Sequence, residues 1–138
     1  MKNKVIISRI LFAIYIVAVI WLCVHSFKNL DNVRQYIFGI MTDKVVHFLM
    51  FFPFPFLLYI SYNKTRYNAL QSVIFFITAM CCGFVMATAT EYAQSFIPYR
   101  TPDRMDLVAD VAGLLSCALP ILVYDIIDNT KHNKRKKK

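Results

Sequence analysis

The sequence predicts an all-α membrane protein with four transmembrane helices, and three observations carry that prediction. Of 138 residues, 58% are apolar and 15% aromatic, with only three glycines; soluble domains typically hold about 45–50% apolar residues. The surplus is gathered into four long runs, each of the roughly 20-residue length that crossing the hydrocarbon core requires. Basic residues are spread unevenly around those runs, and such asymmetry orients membrane helices. At this length one membrane domain is expected, over residues 1–129, followed by a basic tail over 130–138.

The first run, about 5–24, follows Lys2 and Lys4 and contains Arg9. Trp21-Leu-Cys-Val-His-Ser26 offers no small-residue cleavage site, so the run reads as an uncleaved helix rather than a signal peptide. Residues 25–42 mix polar breaks with Tyr36, Ile37, Phe38, Ile40 and Met41, which suits a short interfacial helix or a loop.

The second span covers about 43–62. Thr42 stands where a cap is needed, Asp43 suits the positive first turn, and His47 and Phe51 follow Asp43 at four-residue steps on one face. Pro53 and Pro55 predict a kink, which a membrane helix tolerates when neighbours satisfy the freed carbonyls.

After a short basic turn, the third span covers about 70–91. Ala79, Gly83 and Ala87 recur every four residues, a stripe that lets helices approach closely. Glu91, the single glutamate, continues that stripe, so its carboxylate is directed at a neighbouring helix rather than at lipid. Pro98 and Pro102 bracket a turn into the fourth span, about 103–127, which is expected to break at Pro120 and to lie antiparallel to the third. Asp103, Asp106 and Asp110 share a helix face by their spacing; Gly113 and Cys117 continue it, and Ala109 with Gly113 forms a second close-packing pair.

The net charge of +8 does not point to nucleic acid, because six of the sixteen basic residues lie in the last eight positions, beyond the last apolar run. They read as an anchoring tail beside anionic lipid. Cys23, Cys81, Cys82 and Cys117 all fall within apolar runs, without disulfide or zinc spacing, and read as packing residues. With both ends in the cytosol, the inner segments hold eleven Lys and Arg and the outer loops five. That count places both termini inside. It gathers Asp43, Lys44, His47, Glu91, Gln94, Arg100, Asp103, Arg104, Asp106 and Asp110 at the outer face.

Three motifs among these residues resemble the VanZ-like family of small membrane proteins. Asp43-Lys44-Val-Val-His47-Phe-Leu-Met-Phe51 is similar to the family's Asp-Lys-x-x-His-x-x-x-Phe. Glu91-Tyr-Ala-Gln94-Ser-Phe-Ile-Pro98-Tyr-Arg100 resembles Glu-x-x-Gln followed by a Pro-x-Arg turn. Asp106-Leu-Val-Ala-Asp110-Val-Ala-Gly113 resembles Asp-x-x-x-Asn-x-x-Gly, with Asp110 where the family usually has asparagine. A carboxylate there can carry charge, accept a salt bridge or ligate a cation, whereas an amide only hydrogen-bonds. The resemblance spans about residues 43–117 and implies a multi-pass protein of the bacterial cytoplasmic (inner) membrane with a cell-envelope role. The family takes its name from a protein associated with resistance to the glycopeptide antibiotic teicoplanin.

Four roles compete for the polar cluster. As a structural network, in a structural or partner subunit of a membrane complex, Lys44 or Arg100 would pair with Glu91 or Asp106, and Gln94 and His47 would complete hydrogen bonds between helices. As a binding site, Lys44, Arg100 and Arg104 would hold a phosphate or carboxylate of a lipid-linked wall precursor, a phospholipid or a glycopeptide. As a catalytic site, Glu91 and His47 would act as base and orienter with Asp106 or Asp110 as second carboxylate, on a lipid-linked substrate. Ser26, Ser95 and Ser116 have no triad context. As a metal site, His47, Glu91, Asp106 and Asp110 would ligate a divalent cation, although no paired histidine motif favours one and no cofactor is expected.

Overall fold

The computed structural model describes residues 2–24, 36–37, 40–62, 68–97 and 103–136. Its elements are α1 (Lys2–Val24), the two-residue strands β1 (Tyr36–Ile37) and β2 (Ile40–Met41), α2 (Thr42–Phe51), α3 (Phe54–Ser61), α4 (Ala69–Gln94) and α5 (Arg104–Lys136). Four stretches, Asn3–Cys23, Thr42–Ser61, Ala69–Gln94 and Arg104–Lys131, are long and apolar enough to cross a membrane. Large apolar side chains stand exposed along them, Ile10, Ile14 and Val17 on α1, Ile74, Ile77 and Val85 on α4, Val108 and Val123 on α5. Water would penalise such surfaces and lipid does not, so the chain is an all-α multi-pass membrane protein.

Contacts at three levels run α4 and α5 antiparallel, as the sequence predicts. Glu91 near the end of α4 lies with Asp106 and Asp110 at the start of α5, through His47. At mid-height Gly83 faces Leu114. At the far end Ser72 meets Asp125 and Asn129. Helix α1 seats against α3: Arg9 Nε donates to the Ser61 carbonyl at 3.2 Å and Ser61 Oγ to the Ser8 carbonyl at 2.9 Å. Phe12 meets Phe54 edge to face, and Val19, Cys23, Phe51, Phe54, Ala87 and Leu114 form the buried core. Of the cysteines only Cys23 is fully buried; Cys117 is half-buried, Cys81 and Cys82 face outward, and all four are free.

The second span is interrupted where the prolines predict a kink, although Phe52 and Pro53 keep helical backbone angles. Pro53 and Pro55 supply no N–H groups, so the carbonyls of Leu49 and Phe51 have no partner four residues on. The chain turns at Phe52 and Pro53 and restarts as α3, where Pro55 falls in the first turn and lacks a donor that would be idle anyway. The Tyr15 hydroxyl donates to the Met50 carbonyl at this break, supplying from α1 a partner that water would supply in a soluble protein. Pro120, in contrast, does not end α5, which continues to Lys136. A single missing donor costs less than opening a helix where no water can satisfy the backbone. The helix also runs on past residue 127 into the basic tail.

Two other local expectations give way. The residue before α2 is Met41, without a side-chain cap, and Thr42 is already helical. Part of the segment expected as an interfacial helix or loop is extended instead, with Tyr36 paired to Met41 and Ile37 to Ile40; β-branched and aromatic residues favour that geometry. The rest of that segment, and the turns at 63–67 and 98–102, lie outside the described residues. Helix α4 opens with a capping box: the Asn68 side chain accepts from the Gln71 N–H at 2.8 Å and Gln71 Oε1 from the Asn68 N–H at 2.9 Å.

The small residues set the helix spacings. Ala79, Gly83 and Ala87 are all buried. A methyl on Gly83 would come within 2.6 Å of Leu114 Cδ2, the end of a side chain that can rotate. A methyl on Gly113 would overlap the Phe48 carbonyl oxygen and reach 3.1 Å from the Phe52 nitrogen, both backbone atoms that cannot yield. Gly113→Ala should therefore lower stability by about 1–3 kcal/mol or more, and Gly83→Ala by less. Melting curves of both variants in detergent test this ordering, and equal losses would contradict it.

Candidate functional site

Three helices bring a buried polar group together near one end of the bundle. Helix α2 supplies Lys44 and His47, one turn apart by sequence and on adjoining parts of its inner face. Helix α4 supplies Glu91 and Gln94, and α5 supplies Asp106 and Asp110, with Asp103 just ahead of it. The tight α2–α5 contact at Gly113 brings the two helices close enough for side chains one turn away to hydrogen-bond.

Asp103 precedes α5 rather than joining its first turn. Its carboxylate accepts from the Met105 N–H at 2.9 Å and its carbonyl from the Asp106 N–H at 3.0 Å, the pattern of a helix cap. Lys44 Nζ then spans the helix start, 2.7 Å from Asp103 Oδ2 and 2.9 Å from Asp106 Oδ1, with Asp43 Oδ2 farther off at 3.5 Å. The three N–H donors of this ammonium thus face carboxylates of the chain itself. Hydrogen bonding to Lys44, and secondly to the Met105 N–H, holds the Asp103 carboxyl below the usual carboxylate range.

Behind Lys44 lies His47, only 2% exposed. Its Nδ1 is 3.0 Å from Asp110 Oδ1, and Asp110 is wholly buried. Glu91 Oε1 stands 3.8 Å from the same nitrogen, and Asp106 Oδ2 stands 3.8 Å from Nε2 on the ring's other side. Asp106 is therefore shared: Oδ1 goes to Lys44 and Oδ2 faces His47. Single donor atoms of His47, Glu91 and Asp106 lie within 4.8 Å of one another, so the set can surround a metal ion. Asp110 Oδ2 and Gln94 Nε2 are buried with no hydrogen-bond partner among the described residues, although Gln94 is only 4% exposed.

Of the residues singled out in the sequence, Lys44, His47, Glu91, Asp103, Asp106 and Asp110 thus meet. Gln94 lies one turn beyond Glu91, Asp43 is half exposed beside Lys44, and Arg104 is exposed at the start of α5. Arg100 lies outside the described residues. Asp110, the departure from the family pattern, is the direct partner of His47. Ser95 and Ser116 donate back to carbonyls of their own helices, Tyr92 and Ala112.

Sequence reasoning missed a second polar group at the opposite end. Asp125, 2% exposed, accepts from the Tyr59 hydroxyl at 2.6 Å on one oxygen and from Ser72 Oγ at 3.3 Å on the other. Asn129 Nδ2 donates to Ser72 Oγ at 3.1 Å. The signal was present: a carboxylate inside the apolar run Leu122-Val-Tyr-Asp125-Ile-Ile must find partners within the bundle.

A family model described as VanZ/LLP1 matches residues 10–126 of the chain. An uncharacterized protein of the fission yeast Schizosaccharomyces pombe is 34% identical over 96 residues, 70% of this chain and 51% of the yeast protein. The match thus spans about half of that curated relative. No solved structure matches the chain significantly.

Because the folded state depresses the Asp103 pKa, the Asp103–Lys44 contact contributes stability above the ordinary carboxylate pKa and loses it as pH falls through the lower, folded value. Asp103→Asn should therefore melt below wild type at neutral pH. The gap should narrow as the buffer is taken below about pH 4. A gap independent of pH would show that the cap alone, and not the ion pair, matters.

Proposed function

The chain belongs to the VanZ/LLP1 family, and on that premise we propose that it is an envelope protein of the bacterial cytoplasmic membrane that binds a polar-headed ligand at the His47–Glu91–Asp106 recess. The observation that carries this reading is the contrast between two buried carboxylates. Asp125 has both oxygens hydrogen-bonded within the bundle and needs nothing further. Asp110 has one oxygen on His47 and the other without a partner among the described residues, and Gln94 Nε2 is in the same condition. A purely structural network has no use for such atoms, since each buried unpaired group costs about 1–3 kcal/mol.

The excess of Lys and Arg on the segments assigned to the cytosol supports termini inside and the recess facing outward. There it would meet the headgroups of a lipid-linked wall precursor or a phospholipid, or a glycopeptide. Lys44 is engaged by Asp103 and Asp106, which supports contact with amines, hydroxyls or a bridging cation over a bare phosphate on Lys44. Lowered susceptibility to teicoplanin is the cellular outcome that the family suggests. The catalytic alternative finds support in the Asp110–His47 pair, which would orient a base. The inward bonding of Ser95 and Ser116 supports binding over attack by either hydroxyl.

Expression of wild type in a sensitive strain should raise teicoplanin tolerance. Glu91→Gln and Asp106→Asn, matched for membrane abundance by immunoblot, should not. Equal protection by all three would reduce the recess to a structural element.

A further inference from the structure

We propose that His47, Glu91 and Asp106 hold a divalent cation of the zinc–manganese class, with Asp110 orienting His47 from behind. The proposal rests on the reading of this recess as a ligand site and names the first thing bound there.

Four observations converge on it. One donor atom from each of the three residues already lies within 4.8 Å of the others. Ligands about 2.0–2.2 Å from a shared ion stand roughly 3.0–3.5 Å apart, so the three side chains must draw in around the ion. With Nδ1 held 3.0 Å from Asp110 Oδ1, Nε2 faces Asp106 Oδ2 at 3.8 Å and is the nitrogen that an ion would take. A carboxylate on the far nitrogen of a ligating imidazole is the usual support of a metal-bound histidine.

Charge balance points the same way. Among the described residues, Asp103, Asp106 and Asp110 face one lysine and one histidine, so these five side chains are net negative even with His47 protonated. In a low-dielectric bundle that imbalance favours a cation. Lys44 holds Asp106 by Oδ1 and turns Oδ2 towards His47, the orientation a monodentate ligand needs. Besides these carboxylates, Gln94, one turn past Glu91 and 4% exposed, has a buried Nε2 without a partner among the described residues, suited to donate to a metal-bound oxygen. One imidazole with two carboxylates suits zinc or manganese better than the all-oxygen shells of calcium or magnesium. Three protein ligands leave a position open for water or for an oxygen of the bound headgroup.

The test is titration of chelator-stripped, full-length protein in detergent micelles with Mn²⁺, followed by the loss of the free-ion EPR signal, with Zn²⁺ as competitor. Mn²⁺ is the probe because the four thiols are soft ligands that bind it poorly. Wild type should bind one equivalent, displaced by Zn²⁺. Glu91→Gln and Asp106→Asn should abolish binding, and Asp110→Asn should weaken it by about 10–100-fold while keeping the ligands. Absence of stoichiometric binding by wild type overturns the proposal, as does unchanged affinity in Glu91→Gln or Asp106→Asn. Metal-free wild type that still protects cells against teicoplanin would remove the cation and leave the ligand reading standing. Tight binding without protection would do the reverse.

Discussion

The contact on which most of this structure depends is the backbone approach of α5 to α2 at Gly113. The missing side chain there admits the Phe48 carbonyl and the Phe52 nitrogen against α5. Phe48 is the neighbour of His47, and Asp110 lies one turn before Gly113. The spacing that brings His47 Nδ1 to 3.0 Å from Asp110 Oδ1 is therefore set by a residue with no chemistry of its own. Any side chain at 113 would separate the helices and leave both polar groups buried and apart, where each is most costly.

The bundle carries one polar group near each end, and they differ in kind. Around Asp125 the donors match the acceptors: a tyrosine, a serine and, through the serine, an asparagine from α3, α4 and α5. This group fastens the ends of three helices and is complete. Around His47 the same three spans contribute, but among the described residues Asp110 Oδ2 and Gln94 Nε2 stay buried without a hydrogen bond.

Between the two ends, backbone satisfaction decides the shape. Pro53 and Pro55 remove two donors within one turn, and the helix divides into α2 and α3, with Tyr15 reaching across from α1 to the Met50 carbonyl. Pro120 removes one donor, and α5 passes through it. The dividing line is how many carbonyls the surroundings must satisfy where water is absent. The break leaves α2 a ten-residue helix, held to α5 at Gly113 and fronted by Lys44 on Asp103 and Asp106.

What the sequence determined by itself was the membrane architecture and six residues that meet in the cluster, Lys44, His47, Glu91, Asp103, Asp106 and Asp110. Runs of about twenty apolar residues can satisfy their backbone in lipid only as helices, and polar residues within them must face one another, so Glu91 at the end of a small-residue stripe already pointed inward. What only the tertiary structure decided was which partner each residue takes. Periodicity places Asp106 and Asp110 on one face but does not say that one belongs to Lys44 and the other to His47. Nor does it say that Asp103 caps the helix from outside. Asp125 was overlooked because its partners, Tyr59 and Ser72, are far away in sequence and ordinary in their own segments. Helical spacing is a local property that one segment can display. The pairing of buried charges depends on distances between segments, and those are set by contacts such as Gly113 with Phe48, which exist only once the helices have packed.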